Sequence, residues 1–211
     1  MTKRTIFIGD VHGCIDELLE LMERLAPTPE DRVIFVGDII NKGPDTKGVV
    51  EYVYGKGYEC VLGNNEQSYI AGCLLVGSKY HQLKETLPDK VHEWIICLPR
   101  WIDDEHFTVV HAGLFPNMHP DSVPIEQFTR IRTWDGIGED IQNSDNSAWY
   151  EFYTGMKPVI YGHWAAKGLN IRHNTIGLDS GCVYGGKLSA YILESNEIVQ
   201  VPAKKIYKSY D

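Results

Sequence analysis

The chain has 211 residues, 43% of them hydrophobic and 23% charged, with a formal net charge of −9. These are the proportions of an ordinary globular protein, and the length suits one domain (1–211) with a sizeable core. They speak against a role coating nucleic acid through general positive charge, and no apolar run is long enough to span a bilayer.

The first short apolar run, "TIFIGD" (5–10), predicts a strand. A helix follows over "CIDELLELMERL" (14–25), where Leu18, Leu19, Met22 and Leu25 form an apolar stripe among acidic residues. "RVIFVGD" (32–38) predicts a second strand, and "PDTKGVVEYVYGKG" (44–57) a second helix stopped by glycine. "YECVLGN" (58–64) predicts a third strand and "NEQSYIAGCLLVG" (65–77) a third helix. The interval 78–104 is polar and mixed, with a short helix in "HEWIICLPRWI". "FTVVHAG" (107–113) predicts another strand, and the interval 117–156, rich in Asp, Asn, Pro and Trp, predicts a loop-rich insertion. Four further runs predict strands: 157–163, 174–181, 187–193 and 197–203, the last three expected as an antiparallel stretch. Alternating strands and helices followed by successive strands favour an α/β fold, a two-sheet sandwich flanked by helices.

The five cysteines, Cys14, Cys60, Cys73, Cys97 and Cys182, are odd in number, scattered and without a CxxC pair. They give neither a disulfide framework nor a zinc knuckle, and reduced thiols in a cytoplasm are expected. The N-terminal segment lacks the apolar region of a signal peptide, in keeping with that compartment.

The chemistry lies in what ends each strand. The first run delivers Asp10, with His12 two residues on. The second delivers Asp38, the third Asn64, and the runs at 107–113 and 157–163 deliver His111 and His163. In open α/β sheets, ligands bind outside the carboxyl ends of strands. Alone, an Asp after Gly is more often a turn or cap residue, and a His at a strand end more often a surface or satisfied one. Repetition at five ends makes the joint coincidence improbable. Carboxylates, imidazoles and an amide oxygen suit divalent ions of the Mn, Fe, Zn, Co and Ni group, with Mn first among them. Thiolates are absent from this set, which argues against a structural zinc site. Six groups exceed one open four-coordinate ion and suit two ions that share a carboxylate, an arrangement known for hydrolysing phosphate esters.

Taken together, "GDVHGC" (9–14), "GDIINKGPD" (37–45), "GNNE" (63–66), "HAG" (111–113) and "GH" (162–163) resemble, in that order, the motifs of the calcineurin-like metallophosphoesterases. The similarity runs from residue 5 to about 193. It is closest to the branch holding bacteriophage-type Ser/Thr protein phosphatases and symmetrical diadenosine tetraphosphate hydrolases. "GDVHGC", the "NKGPD" form and "GLDSGCVYGGKLSAYIL" (177–193) point to the bacterial diadenosine-tetraphosphatase-like group. The resemblance implies an α/β/β/α sandwich and a metal-bound hydroxide attacking phosphorus. It implies Asp10 and His12 on one ion, Asp38 bridging, and Asn64, His111 and His163 on the other.

The chain departs from the family at two places. The family motif carries His after the ligand Asn, taken as the general acid, and this chain carries Asn65. Asn donates a hydrogen bond but delivers no proton at neutral pH. Either Asn65 belongs to a slow enzyme, one for good leaving groups or a silent metal- and phosphate-binding module, or it is a substitution made to trap substrate. Asn41 and Lys42 stand where protein phosphatases of the family carry Asp-Arg. Asn41 cannot serve as the carboxylate partner of a catalytic histidine, and Lys42 meets phosphate as a point charge. In "FTRIRTWDG" (128–136), Arg130 and Arg132 share one side of an extended segment, so both can face the cleft; the resemblance implies an arginine near here on the substrate phosphate, and Arg132 is the choice. Asp179 reads as a turn residue, and His81, His92, His106, His119 and His173 as surface or structural. The expected partner is a phosphorylated substrate: a dinucleoside polyphosphate, a phosphoprotein or a small phosphate ester, with no membrane and no general nucleic-acid binding.

Overall fold

Apolar alternation along the first strands sets the layers of the molecule, whose computed structural model describes residues 3–209. In β1 (Thr5–Ile8) and β2 (Arg32–Phe35), Ile6, Ile8, Val33 and Phe35 pack towards helices, while Phe7 and Ile34 pack against a second sheet. Burial on both faces explains why these runs carry no polar alternation. Between them runs α1 (Ile15–Leu25), and after β2 come α2 (Thr46–Gly55), β3 (Glu59–Cys60) and α3 (Asn64–Gly72). The chain continues through α4 (Lys79–Thr86), α5 (Asp89–Ile96), β4 (Trp101–Asp103) and β5 (Thr108–Val110). Short α6 (Ile125–Phe128) and the ribbon of β6 (Thr133–Trp134) and β7 (Ser147–Ala148) lead to β8 (Val159–Tyr161). The last strands are β9 (Asn170–Ile171), β10 (Thr175–Gly177), β11 (Lys187–Ile192) and β12 (Glu197–Pro202).

Two five-stranded sheets result, in the orders β12-β11-β1-β2-β3 and β4-β5-β8-β10-β9. Strands β1, β2 and β3 are parallel, as are β5, β8 and β10. The carboxyl ends of each parallel set therefore point one way, and the tips of the two sets meet. One core fills the space between the sheets, around Phe7, Ile34, Val36, Val109, Ile160 and Leu178. A larger core lies between the first sheet and the helices, and an aromatic one beneath the segment after β5, around Phe115, Phe128 and Trp149. The architecture is the expected two-sheet sandwich flanked by helices.

Several local expectations need correction. Leu19 is 46% exposed, and Leu21 is fully buried in its place beside Leu18, Met22 and Leu25. Among leucines so close together, only the packing against β11 and β12 chooses the face. The third helix stops at Gly72 rather than 77, and the polar interval after it holds two helices. "HEWIICLPRWI" divides into the end of α5 and the strand β4. The last three strands are not one antiparallel stretch: β11 and β12 form a hairpin, whereas β10 lies in the other sheet, parallel to β8.

Leu18→Ala should destabilise the fold by about 2–5 kcal/mol, and Leu19→Ala by about 0.5 kcal/mol or less. Urea unfolding midpoints at constant m would measure both. Equal losses would refute the assignment of the buried face.

Candidate metal centre

Asp38 lies three residues beyond the end of β2, at φ +50°. Its carboxylate accepts from Asn65 N at 2.8 Å and from Asn65 Nδ2 at 2.6 Å. His12 Nε2 lies 3.5 Å from one of its oxygens and His111 Nε2 3.5 Å from the other. Asp10, at the tip of β1, lies 3.9 Å from His12 Nε2 and accepts the His163 backbone N–H at 3.2 Å on both oxygens. Asn64 Oδ1 lies 3.1 Å from His111 Nε2 and 2.8 Å from His163 Nδ1. All six strand-tip residues thus meet in one cluster, and Asp10, His12, Asp38 and His111 are buried in it.

The local backbone explains how they converge. Of eight non-glycine residues with positive φ among those described, five are His12, Asp38, Asn41, Lys42 and His163. Such conformations cost on the order of 1–3 kcal/mol each and persist only where the surroundings over-determine them. Glu66, in the first turn of α3, supplies one such constraint. Its fully buried carboxylate accepts the backbone N–H groups of Asp38, Ile39, Ile40 and Gly63 at 2.8–3.1 Å. Burial, then the Asp38 charge, push its carboxyl up, and the N–H groups of Asp38 and Ile40 oppose that rise. Gly37 is needed on two counts: its φ is +93°, and a methyl group there would lie 2.9 Å from His111 Nδ1.

The imidazoles present lone pairs to the cluster. Nδ1–H of His12 donates to Ile40 O at 3.2 Å and that of His111 to Val36 O at 2.8 Å, which leaves each Nε2 free to accept. Burial lowers the His12 pKa to about 4 and that of His163 well below its usual value, so both are neutral, the form that ligates metal. Burial, then the charges of Asp179 and Asp38, push the Asp10 carboxyl up. Burial works the same way on Asp38, but His111, His12 and Lys42 prevail and hold it low.

Several atoms here lack what protein alone can supply. Asn64 Oδ1, turned inward, faces the accepting Nε2 of His111. With the amide turned over, Nδ2 would donate to both histidines and to Asp38. His163 Nε2 is buried with no partner, and four carboxyls, those of Asp10, Asp38, Glu66 and Asp179, are buried around the site. Inward lone pairs and crowded carboxylates are what divalent cations satisfy, and the N/O donors suit first-row ions. The residues present therefore fit a metal.

The other expected residues lie around this cluster. Lys42 Nζ donates to His12 Nε2 at 3.0 Å and sits over the Tyr184 ring. Asn41 Nδ2 donates to Asn65 Oδ1 at 2.8 Å, and Lys79 Nζ donates to Asn41 Oδ1 at 3.1 Å. Arg130 is tied to Gln67, Ser68 and the Glu126 carbonyl. Arg132 keeps a buried Nε without a partner, and its charge is felt at His163 and Asp179. Asp179 does turn the chain, accepting from Gly181 N at 3.1 Å, yet it is buried and feels Asp38, Lys42 and Arg132. Sequence reasoning did not single out Glu66 or the burial of Asp179. The first was within reach, since a Glu three residues after an N-cap position commonly bonds backwards to backbone N–H groups.

A family model described as calcineurin-like phosphoesterase matches residues 3–198. A symmetrical bis(5'-nucleosyl)-tetraphosphatase from Dechloromonas aromatica is 28% identical, across 93% of this chain and 95% of its own length. Its namesake from Coxiella burnetii is 27% identical, across 96% and 92%. The crystal structure of a candidate diadenosine tetraphosphatase superposes with a TM-score of 0.85 at 31% identity, covering 96% of this chain and 95% of the other. A cold-active protein-tyrosine phosphatase of a Shewanella species shares the fold, with a TM-score of 0.62 at 17% identity over 97% and 81%.

Glu66→Gln replaces an all-acceptor clamp by one with an amide donor facing backbone N–H groups. Metal affinity should fall by about 10–100-fold, as for other supports of a ligand shell. Calorimetric Mn²⁺ titration would read the loss, with circular dichroism to verify folding. Unchanged affinity would show that the clamp does not position Asp38.

Proposed function

The chain belongs to the calcineurin-like phosphoesterases and is a metal-dependent phosphoesterase, and from that premise we propose that it hydrolyses dinucleoside polyphosphates at a two-ion centre assembled around Asp38. Asp38 carries this assignment, because its two oxygens face His12 on one side and His111 on the other. Asp10 and His12 would hold one ion, Asn64, His111 and His163 the other, and Asp38 both; manganese suits this donor set. Bound ions supply charge for the phosphoryl oxygens and an activated water. The substrate class follows the relatives named as symmetrical tetraphosphatases, which align over nearly their whole length.

The remaining roles fall to side chains of this chain. Arg132, with no ion pair among those of the described residues, offers its guanidinium to the non-bridging phosphate oxygens. Lys42 adds a point charge beside His12. Asn65 holds Asp38 through two donors and accepts from Asn41, so it acts as a positioning group without a proton to transfer. A phosphate leaving group has a second pKa near 6 and departs without protonation at neutral pH. An alkoxide or phenoxide needs a proton far more. A site lacking a general acid therefore favours an anhydride over a phosphoserine. The matched amides of Asn41 and Asn65 also favour a resident pair over a single trapping substitution.

Asn65→His should raise kcat on phenyl phosphate by about 10²–10⁴-fold, with metal content unchanged. On diadenosine tetraphosphate the gain should be well under tenfold. Mn²⁺-supported turnover of the two substrates side by side would measure this. No gain on either would sink the general-acid assignment of position 65, and an equal gain on both would sink the leaving-group argument.

A further inference from the structure

A second group of ligand-type atoms lies one turn of chain away from the centre described above. Cys14 stands immediately before α1, Glu17 lies in its first turn, and Cys182 opens a 3₁₀ turn (Cys182–Tyr184) ahead of β11. All three are buried, and their two Sγ atoms and one carboxylate oxygen lie within 4.8 Å of one another. One oxygen of Glu17 accepts the Lys204 N–H at 2.8 Å and the Tyr207 hydroxyl at 2.7 Å. The other, Oε2, is buried with no partner. A wholly buried carboxylate with one oxygen unsatisfied is costly unless a proton or a cation meets it.

We propose that Cys14, Glu17 and Cys182 form a separate, thiolate-rich site for a divalent cation of the zinc and cadmium class. Zn–S bonds near 2.3 Å and Zn–O bonds near 2.0–2.2 Å put tetrahedral ligands about 3.5–3.8 Å apart. The cluster needs at most a small contraction to reach that spacing. Sulfur selects zinc-like ions over manganese, so this site differs in metal from the nitrogen- and oxygen-lined centre. Three protein ligands leave a fourth position for water.

The C-terminal segment covers the cluster. After β12 the chain crosses this cluster, held by Ala203 N to Gly186 O at 2.9 Å and by Tyr207 N and Lys208 N to Val183 O at 3.0 Å. An ion bound beneath it would join the start of α1 to the turn at 182–184 and, through Glu17, fix that segment.

Cadmium titration of the full chain tests this, since thiolate-to-cadmium charge transfer in the ultraviolet reports only sulfur ligation. One equivalent of the band is expected. Cys182→Ser should abolish it while Cys97, the one exposed cysteine among the described residues, is retained. Glu17→Gln should weaken cadmium binding by at least tenfold, and His111→Asn should leave the band intact. No band, or a band that survives Cys182→Ser, would overturn the proposal and leave the cluster as two buried thiols beside a buried carboxyl. Should Cys182→Ser fail to fold, loss of the band in Cys14→Ala would decide in its place.

Discussion

Glu66 is the constraint on which the site depends. Its carboxylate gathers four backbone N–H groups, three of them from the turn that carries Asp38, into one buried point. That turn runs in left-handed conformations at Asp38, Asn41 and Lys42, a region that Asp and Asn tolerate better than most residues and Lys does not. Asp38 is thus aimed by a residue that lies within hydrogen-bond reach of the backbone and not of the metal-type donors. Asn65, one position earlier on the same helix, braces the Asp38 carboxylate itself. The first turn of α3 therefore aligns both the backbone and the side chain of Asp38.

The character of the site follows from which groups hold protons. His12 and His163 are neutral, Asp38 is charged, and Asn41 and Asn65 have no proton to give. The fixed positive charges are at the rim, on Lys42 and Arg132. On the proposed reading, such a site would bind a phosphate chain and assist a poor leaving group only weakly, and substrate choice would rest on leaving-group chemistry as much as on shape.

The strand tips were legible because each carries its chemistry in a local signal, an apolar run closed by a polar residue, with Gly before it in every case but His111. Resemblance alone favours Arg132 over Arg130, and the tertiary contacts tell them apart: Arg130 is spoken for by Gln67 and Ser68, whereas Arg132 Nε is buried with no partner. The same holds for Leu19 and Leu21, since three adjacent leucine-rich turns allow two faces and the sheet beneath decides. Helix α4 escaped notice because its sequence is mostly polar and it buries no residue, whereas α5 overlaps the helix expected in "HEWIICLPRWI" and starts three residues earlier. The buried Glu17, Glu66 and Asp179 gave no compositional warning, because an acidic residue reads as surface until its partners are known.

The six strand-tip groups do not come from one sheet. Asp10, His12, Asp38 and Asn64 follow strands of the first sheet, while His111 and His163 follow β5 and β8 of the second. Where the sheets meet, Gly162 leaves room for Asp10 against β8, and the Gly162 N–H donates to His111 O at 2.7 Å. Ions held by both sets would therefore act as rivets between the two halves of the sandwich. Thermal stability then becomes a function of free metal: by mass action, an ion present at 100 times its dissociation constant adds about 2.7 kcal/mol to the folded state. The melting temperature would report how much of the protein is loaded, without any substrate being turned over.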